Sequence, residues 1–430
     1  MSLWRGALAW GAGVSLMLLA LPATVVAAPI DDQIHLGVAS CASGPCHGRL
    51  TPSETSNVWL NEYRIWSADD RHARAYQTLL SPESQRIARK LGLPNAQSAA
   101  ICLDCHADNV PPEQRGPRFQ ISDGVGCEAC HGGAGQWIES HTEPGATHAD
   151  NLARGMLAIE RIDVRAEVCL SCHLGTRDQF ATHRIMGAGH PRLSFELEAY
   201  TANQPAHYEV DDDYRQRKSA PTGFEVWRAG QVASQLRFLT LMESPLFAAS
   251  IPDFSFFDCH SCHHPMDDIR WSESRRQQGL EPGGLRLQDQ HLIMLRALVE
   301  VVAPADRQPL HDAHVRLLQA GQQSVPAARA AASALKDWLA DRPWASSAVS
   351  REQVMGVRRA IARAGARGEL ADFAAAEQAF LGIESLSLYL GDADRLQTAL
   401  DGVFSIVESD RTFDPQKLRS AMQRLSRALE

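Results

Sequence analysis

The chain has 430 residues, a formal net charge of −9, 44% hydrophobic and 22% charged residues, 10 cysteines and 17 histidines. That acidic balance excludes nucleic acid as a partner, because a phosphate backbone must be met by a basic face. It favours partners that carry basic patches.

At the start, Arg5 precedes an apolar run over residues 7–21, followed by Pro22 and small residues up to Ala28. This predicts a secretory signal peptide over residues 1–27 and a periplasmic location for the rest. The alternative is an uncleaved membrane anchor.

The first cysteine pair follows, Cys41 and Cys46, with four residues between them and His47 directly after. The longer loop must bulge, and Gly44-Pro45 is the place for that turn. Residues 57–80 predict one helix with Trp59, Tyr63, Trp66 and Tyr76 as its large apolar residues, His72 on it, and Ser81-Pro82 as its stop.

Four regular Cys-x-x-Cys-His units come next: Cys102, Cys105 and His106; Cys127, Cys130 and His131; Cys169, Cys172 and His173; Cys259, Cys262 and His263. Such a unit is the attachment signal of a c-type haem. Each cysteine forms a thioether to a vinyl group, and the histidine becomes the proximal iron ligand. The five units consume all 10 cysteines. With histidine at 17 of 430 residues, a histidine after every second cysteine has chance odds on the order of one in ten million. Zinc sites need paired units and no fixed trailing histidine. A disulfide framework leaves the histidines unexplained. The expected cofactor is therefore five covalently bound haem c. Gly132, Gly133 and Gly135, just after His131, are expected to let backbone lie close to a porphyrin face.

Five irons need five further ligands to become six-coordinate. Setting aside His311 and His314, expected at the surface, the candidates are His35, His72, His141, His148, His183, His190, His207, His260, His264 and His291. This excess favours bis-histidine haems over His/Met haems, for which only Met186 and Met266 are suggestively placed. His141 follows His131 by ten residues, so a chain that turns back could bring it to a neighbouring haem. His183, His190 and His207 lie in a loop rich in histidine, glycine and proline, which suggests a ligand role.

Residues 224–246 predict a helix leading to the last unit, and residues 279–284 a linker. Beyond 285 there is no cysteine, and alanine and leucine dominate. Helix starts are expected at Ser324-Val325-Pro326, at Ser350 with Gln353 as a capping box, and at Asp414-Pro415. The expected organisation is a pentahaem cytochrome c domain over 28–280 and a haemless α-helical domain of six or seven helices over 285–430. The expected fold is mostly α: a core of short helices and loops packed around five haems, then an all-α helical domain. That last domain is expected to serve docking or a homodimer.

The run of units, with Trp66, His72-Ala73-Arg74-Ala75, CLDCH, GVGCEACHG and CLSCH in that order, resembles the tetrahaem cytochrome c-554 family, within the superfamily of hydroxylamine oxidoreductase and pentahaem nitrite reductase. The resemblance covers about residues 35–215. It implies that His141 pairs with His47, that His72 pairs with His131, and that His207, in a His-Tyr pair, serves the His173 haem. It also implies an open iron at the His106 haem. His190 and His183 stand outside the family's pattern, and either could close that iron or serve the His263 haem. The four-residue first loop, the fifth haem and the helical domain are departures from the family.

The expected function is electron transfer through closely packed haems, with other periplasmic redox proteins or a membrane quinol oxidase module as partners. The alternative is a reductase or oxidase of a small nitrogen or sulfur compound at the His106 iron. The electron carrier is the preferred expectation, since no lysine replaces a proximal histidine as it does at the active haem of the pentahaem nitrite reductases.

Overall fold

The computed structural model describes residues 32–54, 58–264 and 279–430; the expected signal segment over 1–27 lies outside them. Among the described residues the chain is helical with no strands, and only two isolated bridges occur, His35 with Arg115 and Phe257 with Leu287. No helix there is long and apolar enough to cross a membrane.

The helices of the haem-bearing part are short, and three end on a proximal histidine: Ala100–His106, Glu128–His131 and Ile162–His173. In a Cys-x-x-Cys-His unit the residues stand at i, i+3 and i+4, which a helix gathers on one face. The last unit sits instead on a 3₁₀ turn, Cys259–Ser261, capped by the Asp258 side chain, which accepts from the His260 amide. The first unit is a turn closed by His47 N–H to Cys41 O at 3.1 Å and Gly48 N–H to Ser43 O at 2.9 Å. Its extra residues bulge outward through exposed Gly44 and Pro45, where the sequence reading put the turn.

The single helix expected over 57–80 is broken. The structure has Glu62–Asp69, a 3₁₀ turn Arg71–Arg74, and Ala75–Leu79. Asp70 is extended at the break, with ψ 129°, and its carboxylate accepts the His72 amide. The interruption costs helical hydrogen bonds but fixes the approach of His72. Ser81 then caps a further helix, Pro82–Leu91, rather than only ending the one before it.

The helix expected over 224–246 is present as Gly223–Glu243. Among the described residues from 279 on, seven α-helices follow: Gln290–Val302, Arg307–Gln323, Val325–Ala340, Arg351–Arg367, Phe373–Leu390, Ala393–Val407 and Pro415–Ala428. The three expected starts hold. Ser324 accepts from the Ala327 amide, Ser350 and Gln353 form the capping box, and Asp414 accepts from the Gln416 and Lys417 amides. Their apolar faces build one large core that begins at Phe224 and runs to Leu429. The Gly223–Glu243 helix belongs to that core, with Trp227, Leu239 and Met242 fully buried. The two other apolar clusters, in the haem-bearing part, hold five buried residues each.

Two histidines of the helical part differ from expectation. His314 is buried, not at the surface; its Nε2 lies 2.6 Å from Asp289 Oδ2, beside the buried Arg286–Asp289 pair. His291 is in the core, 2.8 Å from Gln231 Oε1, and so is no iron ligand candidate.

Candidate haem-binding sites

Each of the five attachment-unit histidines faces one other histidine across a gap. Ring centroids are 6.3 Å apart for His47 and His141, 6.2 Å for His72 and His173, and 6.3 Å for His106 and His190. They are also 6.3 Å apart for His131 and His207 and for His183 and His263. Parallel rings in face-to-face contact would stand closer, since carbon atoms pack at about 3.5–4 Å. A metal-bound imidazole nitrogen sits about 2 Å from the metal, with the ring centre roughly 1.1–1.2 Å behind it. Two imidazoles on opposite sides of one metal therefore have centroids about 6.2–6.3 Å apart. The gaps fit an iron, and the ten residues are five attachment-unit histidines and the five distal candidates His72, His141, His183, His190 and His207.

Two expected pairings are exchanged. His72 stands opposite His173, not His131, and His207 opposite His131, not His173. The backbone of His72 is pinned just ahead of the CEACH unit, with Val125 N–H donating to His72 O at 3.1 Å. A side chain at Gly124, where φ is +78°, would come within 2.7 Å of that oxygen. The ring then reaches across to the neighbouring unit. The His106 site also differs from the expected open one, because His190 occupies its other side.

Several of these rings are oriented through Nδ1, which leaves Nε2 for the gap. His47 Nδ1 lies 2.8 Å from Glu62 Oε2, and His72 Nδ1 2.9 Å from Asp70 Oδ1. Backbone carbonyls serve the others: His106 donates to Ala75 O at 3.1 Å, His141 to Ile138 O at 2.5 Å, and His190 to Pro191 O at 2.6 Å. Such partners fix tautomer and ring plane and tune ligand basicity. The hydrogen bonds to Glu62 and Asp70 raise the His47 and His72 pKa values. Burial lowers His131 and His173 to about 4, which keeps them in the neutral form that a metal needs.

The ten cysteines form no disulfide. Cys41 and Cys127 are in side-chain hydrogen-bond contact, as are Cys105 and Cys172. Gln179 Nε2 lies 3.3 Å from Cys105 Sγ and 3.1 Å from Cys172 Sγ. A cavity of about 1720 Å³ is lined by His183, His190, Cys259, Cys262 and His263. The donor set, the gaps and this space all fit covalent haem.

Gly133 and Gly135, after His131, make room for another stretch of the chain. A side chain at Gly133 would come within 2.7 Å of Gln33 Cβ, and one at Gly135 within 2.9 Å of Ile34 Cβ. They admit residues 33–35, which join them through Gly135 N–H to Ile34 O at 2.9 Å. Other histidines have partners of their own. His35 Nδ1 lies 2.7 Å from Asp108, and His148 Nε2 2.8 Å from Glu160.

Residues 40–132 match the family described as cytochrome c554 and c-prime. The match takes in the first three units, less than a quarter of the chain, and supports a c-type cytochrome family with covalent haem c and haem-based electron transfer. No curated protein matches the chain, and no solved structure does. The distal histidines were within reach of sequence reasoning as a set, but Glu62, Asp70 and Gln179 were missed. The Asp-x-His spacing of Asp70 and His72 was the one signal available for any of them.

Proposed function

We propose that the chain is a periplasmic pentahaem cytochrome c that carries electrons between redox partners through bis-histidine haems. The observation that carries this reading is the set of five histidine pairs with centroids 6.2–6.3 Å apart, each using one attachment-unit histidine. Bound haem iron supplies one-electron chemistry, with a potential set by its axial ligands, their hydrogen bonds and burial.

The residues also supply an order for the sites. Contact of Cys41 with Cys127 joins the first and third units, and contact of Cys105 with Cys172 joins the second and fourth. His72, held through its carbonyl by Val125 beside the third unit, faces His173 of the fourth, which joins the third and fourth. His183 and His190 flank one helix, His183–Ala188, and line the cavity of the fifth unit together, which joins the second and fifth. The result is an unbranched series: first, third, fourth, second, fifth. Its ends are the units with exposed residues, 43–45 at one and Cys259, Cys262 and His263 at the other. The central unit is the fourth, whose His173 is half-buried.

The wider kinship with hydroxylamine oxidoreductase and pentahaem nitrite reductase, export by residues 1–27, and division into parts at 28–280 and 285–430 belong to this proposal. So do periplasmic redox proteins or a membrane quinol oxidase module as partners, and a homodimer through the helical part. The reductase or oxidase alternative at the His106 iron is the less supported reading, since the His106 ring faces His190.

The test is the mass and electron paramagnetic resonance spectrum of the oxidised holoprotein. Five covalent haems of roughly 0.6 kDa each, all low-spin and indifferent to cyanide, are expected. A high-spin signal that titrates with cyanide would overturn the all-bis-histidine reading. His190→Ala should create such a signal at one site while all five haems stay attached.

A further inference from the structure

The cavity between His183 and His263 is only partly built by the haem-bearing part. Its far wall comes from the helical part: Arg367, Gly368 and Ala371, then residues 410–416 and Arg419. His260, which stands between the two cysteines of the last unit, donates its Nε2–H to Asp410 O at 3.1 Å. Its ring also lies 5.8 Å from the Phe413 ring and 6.2 Å from that of Phe373. Phe413 is buried in the large apolar core while residues 410–412 are exposed. The segment is thus anchored at Phe413 and presents its neighbours to the cavity.

The arginines that line the cavity fall into two kinds. Arg192 is engaged with Glu377 at 2.6 Å and lies over the Phe373 ring, and Arg367 is engaged with Glu369 at 2.7 Å. Arg411 and Arg419 pair with no carboxylate among the described residues; Arg419 donates only its Nε–H, to Ala366 O at 3.2 Å. The acidic neighbour Asp414 is itself occupied, capping the Gln416 and Lys417 amides. Two guanidinium groups without carboxylates therefore face a cavity that is cut to take a porphyrin. A guanidinium fork matches a carboxylate, and a haem carries two of them as propionates.

We propose that the segment 410–419 is part of the fifth haem site, with Arg411 and Arg419 as the partners of that haem's propionates. The proposal rests on the haem reading of the Cys259, Cys262 and His263 unit. It gives the helical part a role in cofactor binding: a wall that the short chain around the last unit lacks.

The test is the double charge reversal Arg411→Glu, Arg419→Glu in the full-length holoprotein, with Arg411→Gln, Arg419→Gln as the milder variant. Haems are counted by mass and midpoint potentials are read by spectroelectrochemical titration. Reduction adds negative charge, so losing cations beside the propionates disfavours it. One of five waves should move to lower potential, further for Glu than for Gln, and the other four should hold. Loss of the fifth haem alone would equally support the site. Five unmoved waves in a five-haem protein would overturn it. So would an equal shift in a Cys259→Ser, Cys262→Ser background, where this haem is missing. A wild-type mass with no haem on Cys259 and Cys262 would instead overturn the underlying haem reading.

Discussion

The haem-bearing part and the helical part solve the same problem by different means. Residues 290–428 hold seven helices whose apolar faces close on one another, together with the Gly223–Glu243 helix, in a continuous core. Residues 32–217 have short helices; one apolar cluster there holds five buried residues, and the other holds four together with Val226 of the Gly223–Glu243 helix. Folding has to offset about 1–2 kcal/mol of backbone entropy per ordered residue. Burial of side chains can do that in the helical part. In the other part the chain is arranged around eight cysteines and nine of the paired histidines, and the buried surface has to come from what those residues hold. A region's stability can therefore be local in sequence, or conditional on a cofactor, within one chain.

The sharpest way to break the comparison is to deny the central site its haem. Cys169→Ser, Cys172→Ser should abolish accumulation of the folded holoprotein, because this unit lies at the middle of the series and its His173 ring stacks on the buried Phe195. A stable protein lacking one haem, with an unchanged thermal transition, would show that the haem-bearing part has a sufficient core of its own.

A smaller effect is expected from the helical side. Leu298 is fully buried, and Leu298→Ala should cost about 3 kcal/mol in denaturant unfolding followed by circular dichroism. The haem-to-protein ratio and the spin states should not change. A loss of haem in this variant would mean that the two parts cannot be separated energetically.

The smallest effect sharpens the contact between them. Glu196 is buried; its carboxylate accepts from the Glu198 and Ala199 amides and from Ser385 of the Phe373–Leu390 helix. Burial pushes its pKa up to about 7, above the ordinary carboxylate range. The folded state therefore holds a proton that the unfolded state releases, so this contribution is complete at low pH and is lost as pH rises through about 7. Wild-type stability should fall by about 2 kcal/mol between pH 5 and 7.5 through this group, at roughly 1.4 kcal/mol per pH unit. Glu196→Gln should flatten that slope. An unchanged slope would remove Glu196 as its source.

Much of the helical part was legible in the sequence. The caps at Ser324, Ser350 and Asp414 act within three residues, so local chemistry announces them. The break at Asp70 was not legible. The run around it has helical periodicity, and only the capture of the His72 amide by a carboxylate shows why the helix stops. Glu62 shows the same limit: it sits on a helix that looks solvated, yet its carboxylate meets a ring that belongs to a different turn.

What the sequence determined by itself is the identity of the ligand-bearing residues. Cysteines and histidine at i, i+3 and i+4 form a unit whatever surrounds it, and the excess of histidines over those units marks a second set. Only the tertiary structure decided which histidine faces which. His72 meets His173, His190 meets His106 and His207 meets His131. These are encounters between distant stretches, set by small local anchors such as Asp70 on His72 and Val125 on its carbonyl. A side chain's partner across a gap depends on where two backbones are held, and no spacing within either stretch records that.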